Sequence, residues 1–349
     1  MGESGVEPFL EASGPLVDVR SPAEFAKGHI PGALNLPLFC DAERAAVGTA
    51  YKQVGRQQAV ALGLGLVGPR LESLADGLCR ALAGREADAR LRLHCWRGGL
   101  RSSSVAWLAG VLNLPVLVLE GGYKHYRHWV LQRFEHPWPL RVLAGRTGSG
   151  KTDLLLAMAE LGEAVVDLEG LAHHRGSSFG GLGMPPQPSS EHYENRLAQS
   201  LWQQRQAPAI WLEAESAQVG RCRIPAGLWR QMQQAPAVEI NRPLQERVER
   251  LVAVYGHQGQ EGLRQATERI ARRLGPQRTR AALEAIAAHD WATACRQMLD
   301  YYDRCYDHEL QQRSEAAVPR LELAGLTDAD AGAALLAWGL GRSPGRSAA

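Results

Sequence analysis

The chain has 349 residues, 45% of them hydrophobic and 22% charged, the balance of a soluble globular protein long enough for two cores. Its 39 Lys and Arg against 37 Asp and Glu leave a net charge of +2, so any contact with nucleic acid is confined to a local patch. No apolar run approaches the about 18 residues of a membrane span, and the acidic N-terminus lacks the basic start and apolar run of a secretion leader. Six cysteines occur without a C-x-x-C pair, which argues against zinc ligation and a disulfide framework; a cytoplasmic protein with reduced thiols and no membrane association is expected.

In chain order, residues 16–20 read as a short buried strand. A helix then starts with Ser21 at the N-cap, Pro22 at N1 and Glu24 at N3, the arrangement of a capping box. Residues 29–33 form a turn into a second strand at 34–37, and residues 41–90 have an Ala- and Leu-rich helical pattern. A strand at 91–94 delivers Cys95 at its end, a helix follows over 102–112, and a strand at 116–119 runs into Glu120-Gly121-Gly122-Tyr123. Alternating strands and helices imply a parallel sheet covered on both faces. The prolines of His136-Pro137-Trp138-Pro139 mark a boundary. A strand at 140–144 then enters a glycine-rich loop, and a helix follows over 153–161. Two further strands, at 164–167 and 209–212, each end in acids, and residues 244–306 are helical in pattern. The fold class is therefore α/β: an N-terminal parallel sheet flanked by helices, then a second α/β domain with a helical C-terminal region. The expected domains are 1–136 with a helical insertion at about 41–90, an α/β domain at 137–245, a helical region at 246–340 and a frayed tail at 341–349.

Two loops carry the chemistry. In the first, Cys95 is followed by Arg97, Gly98, Gly99, Arg101 and Ser102. A thiol at a strand end, before glycines and a helix start, meets converging backbone N–H groups that favour its thiolate. Arg97 and Arg101 add to that if they point inward, and Gly98, Gly99 and Ser102 shape an anion cradle. Such a site suits nucleophilic transfer of sulfur or selenium. The C-x5-R spacing is equally that of cysteine phosphatases, but no general acid is nominated nearby.

The second loop, Gly145-Arg146-Thr147-Gly148-Ser149-Gly150-Lys151-Thr152, fits the phosphate-loop pattern G-x-x-x-x-G-K-[ST] between a strand and a helix. Gly145, Gly148 and Gly150 let the backbone, Ser149 included, wrap a diphosphate. Lys151 brings a point charge and Thr152 a hydroxyl for Mg²⁺. Among the acids at the next two strand ends, Glu213 and then Asp167 are the preferred metal ligands over Glu169 and Glu215. The rest of the ligand stays open between a nucleotide and another diphosphate. Residues 173–190 read either as an active-site loop or as a connector.

Residues 18–25, 28–35 and 120–123 match the three signatures of the rhodanese family, in order. A rhodanese segment joined to a phosphate loop resembles the tRNA 2-selenouridine synthase family. Residues 43–49 and 51–53, residues 167–180, Gln187-Pro188-Ser189 and Glu194-Asn195 are similar to stretches of that family. Ala214 and Ala217 stand where the family resemblance calls for an acid and an arginine, and Tyr193 stands for phenylalanine. The resemblance implies two steps on wobble 2-thiouridine in tRNA: S-geranylation by geranyl diphosphate, then selenium transfer from selenophosphate, giving 2-selenouridine. It implies tRNA as substrate, Mg²⁺ at the phosphate loop, a selenophosphate-supplying enzyme as partner, and Cys95 as the residue that captures selenophosphate or carries a perselenide. The other reading of the same motifs is a phosphate-loop NTPase, kinase-like enzyme or phosphatase with a rhodanese module. The densest basic run, Arg264, Arg269, Arg272, Arg273, Arg278 and Arg280, reads equally as an RNA contact or as a solvated helix face. Tyr301, Tyr302 and Tyr306 are read as helix core before base-stacking groups.

Overall fold

A computed structural model describes residues 2–313 and 318–340; the tail expected at 341–349 lies outside them. Contacts divide the described chain into two units. The first runs to Arg133 and includes Glu194–Gln199; the second holds Phe134–Tyr193 and the described residues from Ser200 on.

The first unit contains β1 (Gly2–Ser4), α1 (Val6–Glu11), β2 (Leu16–Asp18), α2 (Pro22–Lys27) and β3 (Leu34–Asn35). Helices α3 (Asp41–Gln53), α4 (Arg56–Val67) and α5 (Leu71–Leu82) follow, then β4 (Leu91–His94), α6 (Leu100–Val111), β5 (Val116–Leu119) and α7 (Gly122–Arg133). The five strands pair in parallel in the order β1-β5-β4-β2-β3. Glu24 accepts a hydrogen bond from the Ser21 backbone N–H at 3.2 Å, so the capping box forms where the sequence places it. Val17, Leu91, Leu93 and Val118 from the strands meet Leu74, Leu78, Val105 and Ala109 from α5 and α6 in one core. That packing fixes β4, and β4 holds Cys95 just beyond its last residue.

The second unit contains β6 (Leu140–Gly145), α8 (Lys151–Glu160), α9 (Leu168–Ala172), α10 (Ser190–Gln203), β7 (Ile210–Glu213), β8 (Gln218–Val219), β9 (Cys222–Arg223), α11 (Ala226–Gln234) and β10 (Ala237–Asn241). It ends with α12 (Leu244–Tyr255), α13 (Gln260–Leu274), α14 (Pro276–Ala287), α15 (Trp291–Arg313), β11 (Arg320–Glu322) and α16 (Asp328–Leu340). Its main sheet is parallel, in the order β11-β10-β6-β7. Leu143, Val238, Ile240 and Trp211 of this sheet bury against Leu154, Leu155 and Met158 of α8 and Leu335 of α16.

Two expectations are corrected. Residues 164–167 make a single bridge, Val165 to Trp211, and no strand, because Asp167 already caps α9 by accepting the Gly170 N–H at 2.8 Å. The region 246–340 is not wholly helical: β11 pairs with β10, with Arg320 beside Glu239 at 2.9 Å. Three residues are too few for an alternating pattern to reveal a strand. Among the described residues no helix is long and apolar enough to cross a membrane.

Candidate active sites

Cys95 lies in the turn between β4 and α6. Its residue is 3% exposed, yet its surroundings favour the ionised form. Burial alone would raise the thiol. The Ser102 hydroxyl at 3.3 Å, the backbone N–H groups of Arg97 and Ser102, and the Arg101 charge outweigh burial and lower it below the ordinary 9.0. Ser102 stands in the first turn of α6, where N–H groups have no partner within the helix. Arg97 therefore contributes through its backbone N–H, and its side chain is exposed. Arg101 is on the rim, bound to Glu24 at 2.7 Å, with Arg44 on the same carboxylate at 3.6 Å.

The turn after β5 clamps this loop. Tyr123 N–H donates to the Cys95 carbonyl at 2.8 Å and Lys124 N–H to the Trp96 carbonyl at 2.9 Å. Gly122, at φ +61°, has no room for a side chain: a Cβ would lie 2.4 Å from the Gly98 nitrogen and 2.5 Å from the Cys95 oxygen. Gly98, at φ +64°, is restricted by its backbone angle and, less tightly, by the Leu119 oxygen at 3.0 Å. Gly99 faces open space.

Beneath the loop, Arg20 and Asp18 form a buried ion pair at 2.6 Å. Arg20 also donates to the Gly28 carbonyl at 2.7 Å and stacks over Tyr123 at 3.7 Å. Burial lowers His94 to about 4, so it is neutral next to this pair. Tyr123 accepts from Asn195 Nδ2 at 2.7 Å, and Asn195 also donates to the His29 carbonyl at 2.8 Å. Glu194 pairs with Arg127. These groups position the loop and do not touch the sulfur.

The phosphate loop joins β6 to α8, with Gly148 and Gly150 both at φ +80°. A Cβ on Gly148 would stand 2.9 Å from the Arg247 oxygen, and on Gly150 2.7 Å from the Arg250 guanidinium. Lys151 Nζ donates to the Gly145 carbonyl at 3.0 Å, which ties the end of the loop to its start. The Ser149 hydroxyl is buried with no partner among the described residues.

Three carboxylates face this loop. Glu213 ends β7, Glu215 follows two residues later, and Glu169 is in the first turn of α9; one oxygen from each lies within 4.8 Å of the others. The Thr152 hydroxyl is 3.0 Å from Glu169 and 3.1 Å from Glu213 and donates to one of them. Burial first, and then repulsion from Glu215, pushes Glu169 up to about 8. Burial and Glu213 push Glu215 up to about 7, and burial with Glu169 and Asp167 raises Glu213 further. Asp167, preferred by the sequence reading, is the cap of α9; Glu169, two residues on, stands in the cluster. Gly176, at φ +62°, lies against these acids: a Cβ there would be 2.7 Å from Glu215 and 3.1 Å from Glu169. The glycine-rich stretch after His174 thus covers the cluster. Tyr193 is fully buried near these acids.

Of the six arginines read as an RNA surface, two have acidic partners. Arg264 is held by Glu261 at 2.7 Å and by Glu268, and Arg278 by Asp300. Arg269 donates to the Ser178 carbonyl at 2.8 Å, and Arg273 interacts with Tyr301. Arg272 and Arg280 have no ion-pair partner among the described residues and line one groove with Leu283 and Thr279. Tyr302 is half-buried beside Ser178.

A rhodanese-type thiol loop and a phosphate loop backed by acids define a two-domain α/β enzyme of group transfer. Residues 7–128 match the rhodanese-like domain family, and residues 138–328 match the family described as tRNA 2-selenouridine synthase AAA domain. The chain is 40% identical to tRNA 2-selenouridine synthase of Hahella chejuensis, an alignment covering 92% of this chain and 91% of that protein. It is 36% identical to the synthase of Shewanella denitrificans, covering 88% and 91%, and 38% identical to that of Bordetella bronchiseptica, covering 87% and 90%. The chain belongs to the tRNA 2-selenouridine synthase family.

Proposed function

We propose that this enzyme converts wobble 2-thiouridine in tRNA to 2-selenouridine in two steps, one at each loop. In the first, the thiocarbonyl sulfur attacks the allylic carbon of geranyl diphosphate, the carbon–oxygen bond breaks, and pyrophosphate leaves. In the second, selenium from selenophosphate displaces the geranylthio group at the base carbon. Water then releases phosphate.

The observation that carries this reading is the chemistry of the two loops in one chain. The Cys95 loop offers a stabilised thiolate and inward N–H groups, which suit a selenophosphate oxyanion. The phosphate loop offers Lys151, the first turn of α8 and a hydroxyl beside acids, which suit a departing diphosphate. The donor set fits Mg²⁺: it is all oxygen, and one buried and two half-buried carboxylates crowded beside the single charge of Lys151 are electrostatically costly. Thr152, Glu213 and Glu169 would hold the ion, with Glu215 adjoining. When bound, it neutralises charge developing on the leaving diphosphate. Lys151 adds a fixed charge, and the loop N–H groups orient the phosphates. The Arg272 and Arg280 groove, which Glu284 also lines, is retained as RNA contact, since among the described residues neither arginine has an ion-pair partner.

Nucleoside analysis of tRNA tests this directly. Cells lacking the protein should contain 2-thiouridine and no 2-selenouridine. Restoring it with Lys151→Ala should leave 2-thiouridine, whereas Cys95→Ser should accumulate the S-geranyl nucleoside. A Cys95→Ser protein that still makes 2-selenouridine at the normal rate would refute the assigned role of that loop.

A further inference from the structure

A phosphate loop binds anions only while its carbonyls are turned out and its N–H groups in. Here the outward carbonyls are held by cations. Lys151 takes the Gly145 carbonyl at 3.0 Å, Arg247 the Thr147 carbonyl at 3.1 Å and Arg242 the Ser149 carbonyl at 3.2 Å. The Ser149 N–H closes the Arg146 carbonyl at 3.1 Å, and the Leu154 N–H takes that of Gly150 at 2.9 Å. Lys151 belongs to the loop motif. Arg242 follows β10 and Arg247 lies in α12, about a hundred residues further along the chain.

Both arginines are built in. Arg242 and Arg247 are 5% and 4% exposed. Asp303 of α15 grips Arg247 with two bonds of 2.7 Å. The Leu323 and Leu326 carbonyls take Arg242 at 3.0 and 2.8 Å, and Glu246 and Asp328 stand at 3.3 and 3.4 Å. A fork held by a carboxylate on one side presents its remaining N–H groups in a fixed direction. The direction here is the back of the loop, so these guanidinium groups add positive potential without occupying the ligand's place.

We propose, resting on the diphosphate reading above, that Arg247 and Arg242 are positioning residues: by holding the Thr147 and Ser149 carbonyls they keep the loop N–H groups aimed at the diphosphate. Asp303 acts behind Arg247 as its anchor. Without the clamp, a carbonyl can turn into the hollow and oppose the anion.

The test is titration of the full-length protein with inorganic pyrophosphate in the presence of Mg²⁺, with thermal midpoints and amide exchange at residues 147–150 measured alongside. Arg247→Met should weaken pyrophosphate binding about 10- to 100-fold, the usual range for losing a charged hydrogen bond. Exchange at the loop amides should rise, and pyrophosphate should no longer suppress it fully. Arg247→Lys, which keeps a charge within reach of one carbonyl, should recover most of the affinity. Asp303→Asn should weaken binding less than Arg247→Met, and the double variant should match Arg247→Met alone. Arg230→Met, which removes an exposed arginine paired with Glu135, should change nothing. If Lys151→Ala abolishes binding while Arg247→Met and Arg242→Met stay within about twofold of the unaltered protein, the clamp is refuted and the diphosphate reading survives. If the unaltered protein binds no pyrophosphate, both fall. Should Arg247→Met fail to fold, Arg242→Met and Asp303→Asn decide: unchanged affinity and unchanged loop exchange in both would overturn the proposal.

Discussion

The two loops solve one problem, presenting N–H groups to an anion, with different materials. The Cys95 loop has its carbonyls held by the backbone N–H groups of Tyr123 and Lys124. The phosphate loop has its carbonyls held by Lys151, Arg247 and Arg242. A backbone clamp demands close approach, so it depends on glycine and adds little charge. A cationic clamp tolerates distance and raises the local potential, which suits a multiply charged diphosphate beside three carboxylates. Both loops should fail when their close-packed glycines are filled, and the second should in addition fail through loss of charge.

Gly122→Ala should have the largest effect. The added Cβ overlaps the Gly98 nitrogen and the Cys95 oxygen, and nothing there can yield without breaking the clamp. A loss of about 3 kcal/mol or more in stability is expected, read by denaturant unfolding. Gly99→Ala, in the same loop but facing open space at φ −101°, should be close to neutral. Equal effects from the two would break the comparison. Next comes Lys151→Ala. It should slow the proposed geranylation step by about 10²- to 10³-fold in single-turnover assays, with little change in the thermal midpoint.

Both loops were legible in the sequence because each is a local pattern: a thiol or glycines at fixed spacing between a strand and a helix. The Glu120–Tyr123 signature was legible too, and the structure adds its reason, the clamp on Cys95. What the sequence hid is non-local or depends on competing local bonds. Arg242, Arg247 and Asp303 reach the phosphate loop from elements about a hundred or more residues away, and no spacing rule connects them. Asp167 and Glu169 are equally acidic neighbours on paper. Only the helix that starts between them makes one a cap and sends the other to Thr152. The basic run looked uniform, but Glu261 and Asp300 neutralise part of it from other turns.

The acids sharpen the comparison through pH. Glu169 titrates at about 8 in the fold against an ordinary 4.5. A carboxyl raised by folding contributes its stability below 4.5, and that contribution is lost as the pH rises through about 8, because the unfolded chain ionises first. The metal-free protein should thus lose stability across that window, and Mg²⁺ should restore it. Glu169→Gln should flatten the dependence. Cys95 runs the other way: its lowered thiol adds stability as the pH rises through its folded value toward 9.0. Ser102→Ala should move the thiolate absorbance to higher pH, since it removes the hydroxyl at 3.3 Å.

The smallest effect is expected on the proposed RNA surface, where neither clamp operates. Arg272 and Arg280 are exposed, and each can meet one phosphate. Replacing either with Met should weaken tRNA binding modestly and reduce the slope of log affinity against log salt by about 1. Arg264 is already bound by Glu261 and Glu268, so Arg264→Met should leave the slope nearly unchanged. A slope that falls equally for all three would mean that the acidic partners release Arg264 to the RNA, and the surface would then extend along α13. A slope that falls for none would remove this groove from the RNA path while leaving both loops as they stand.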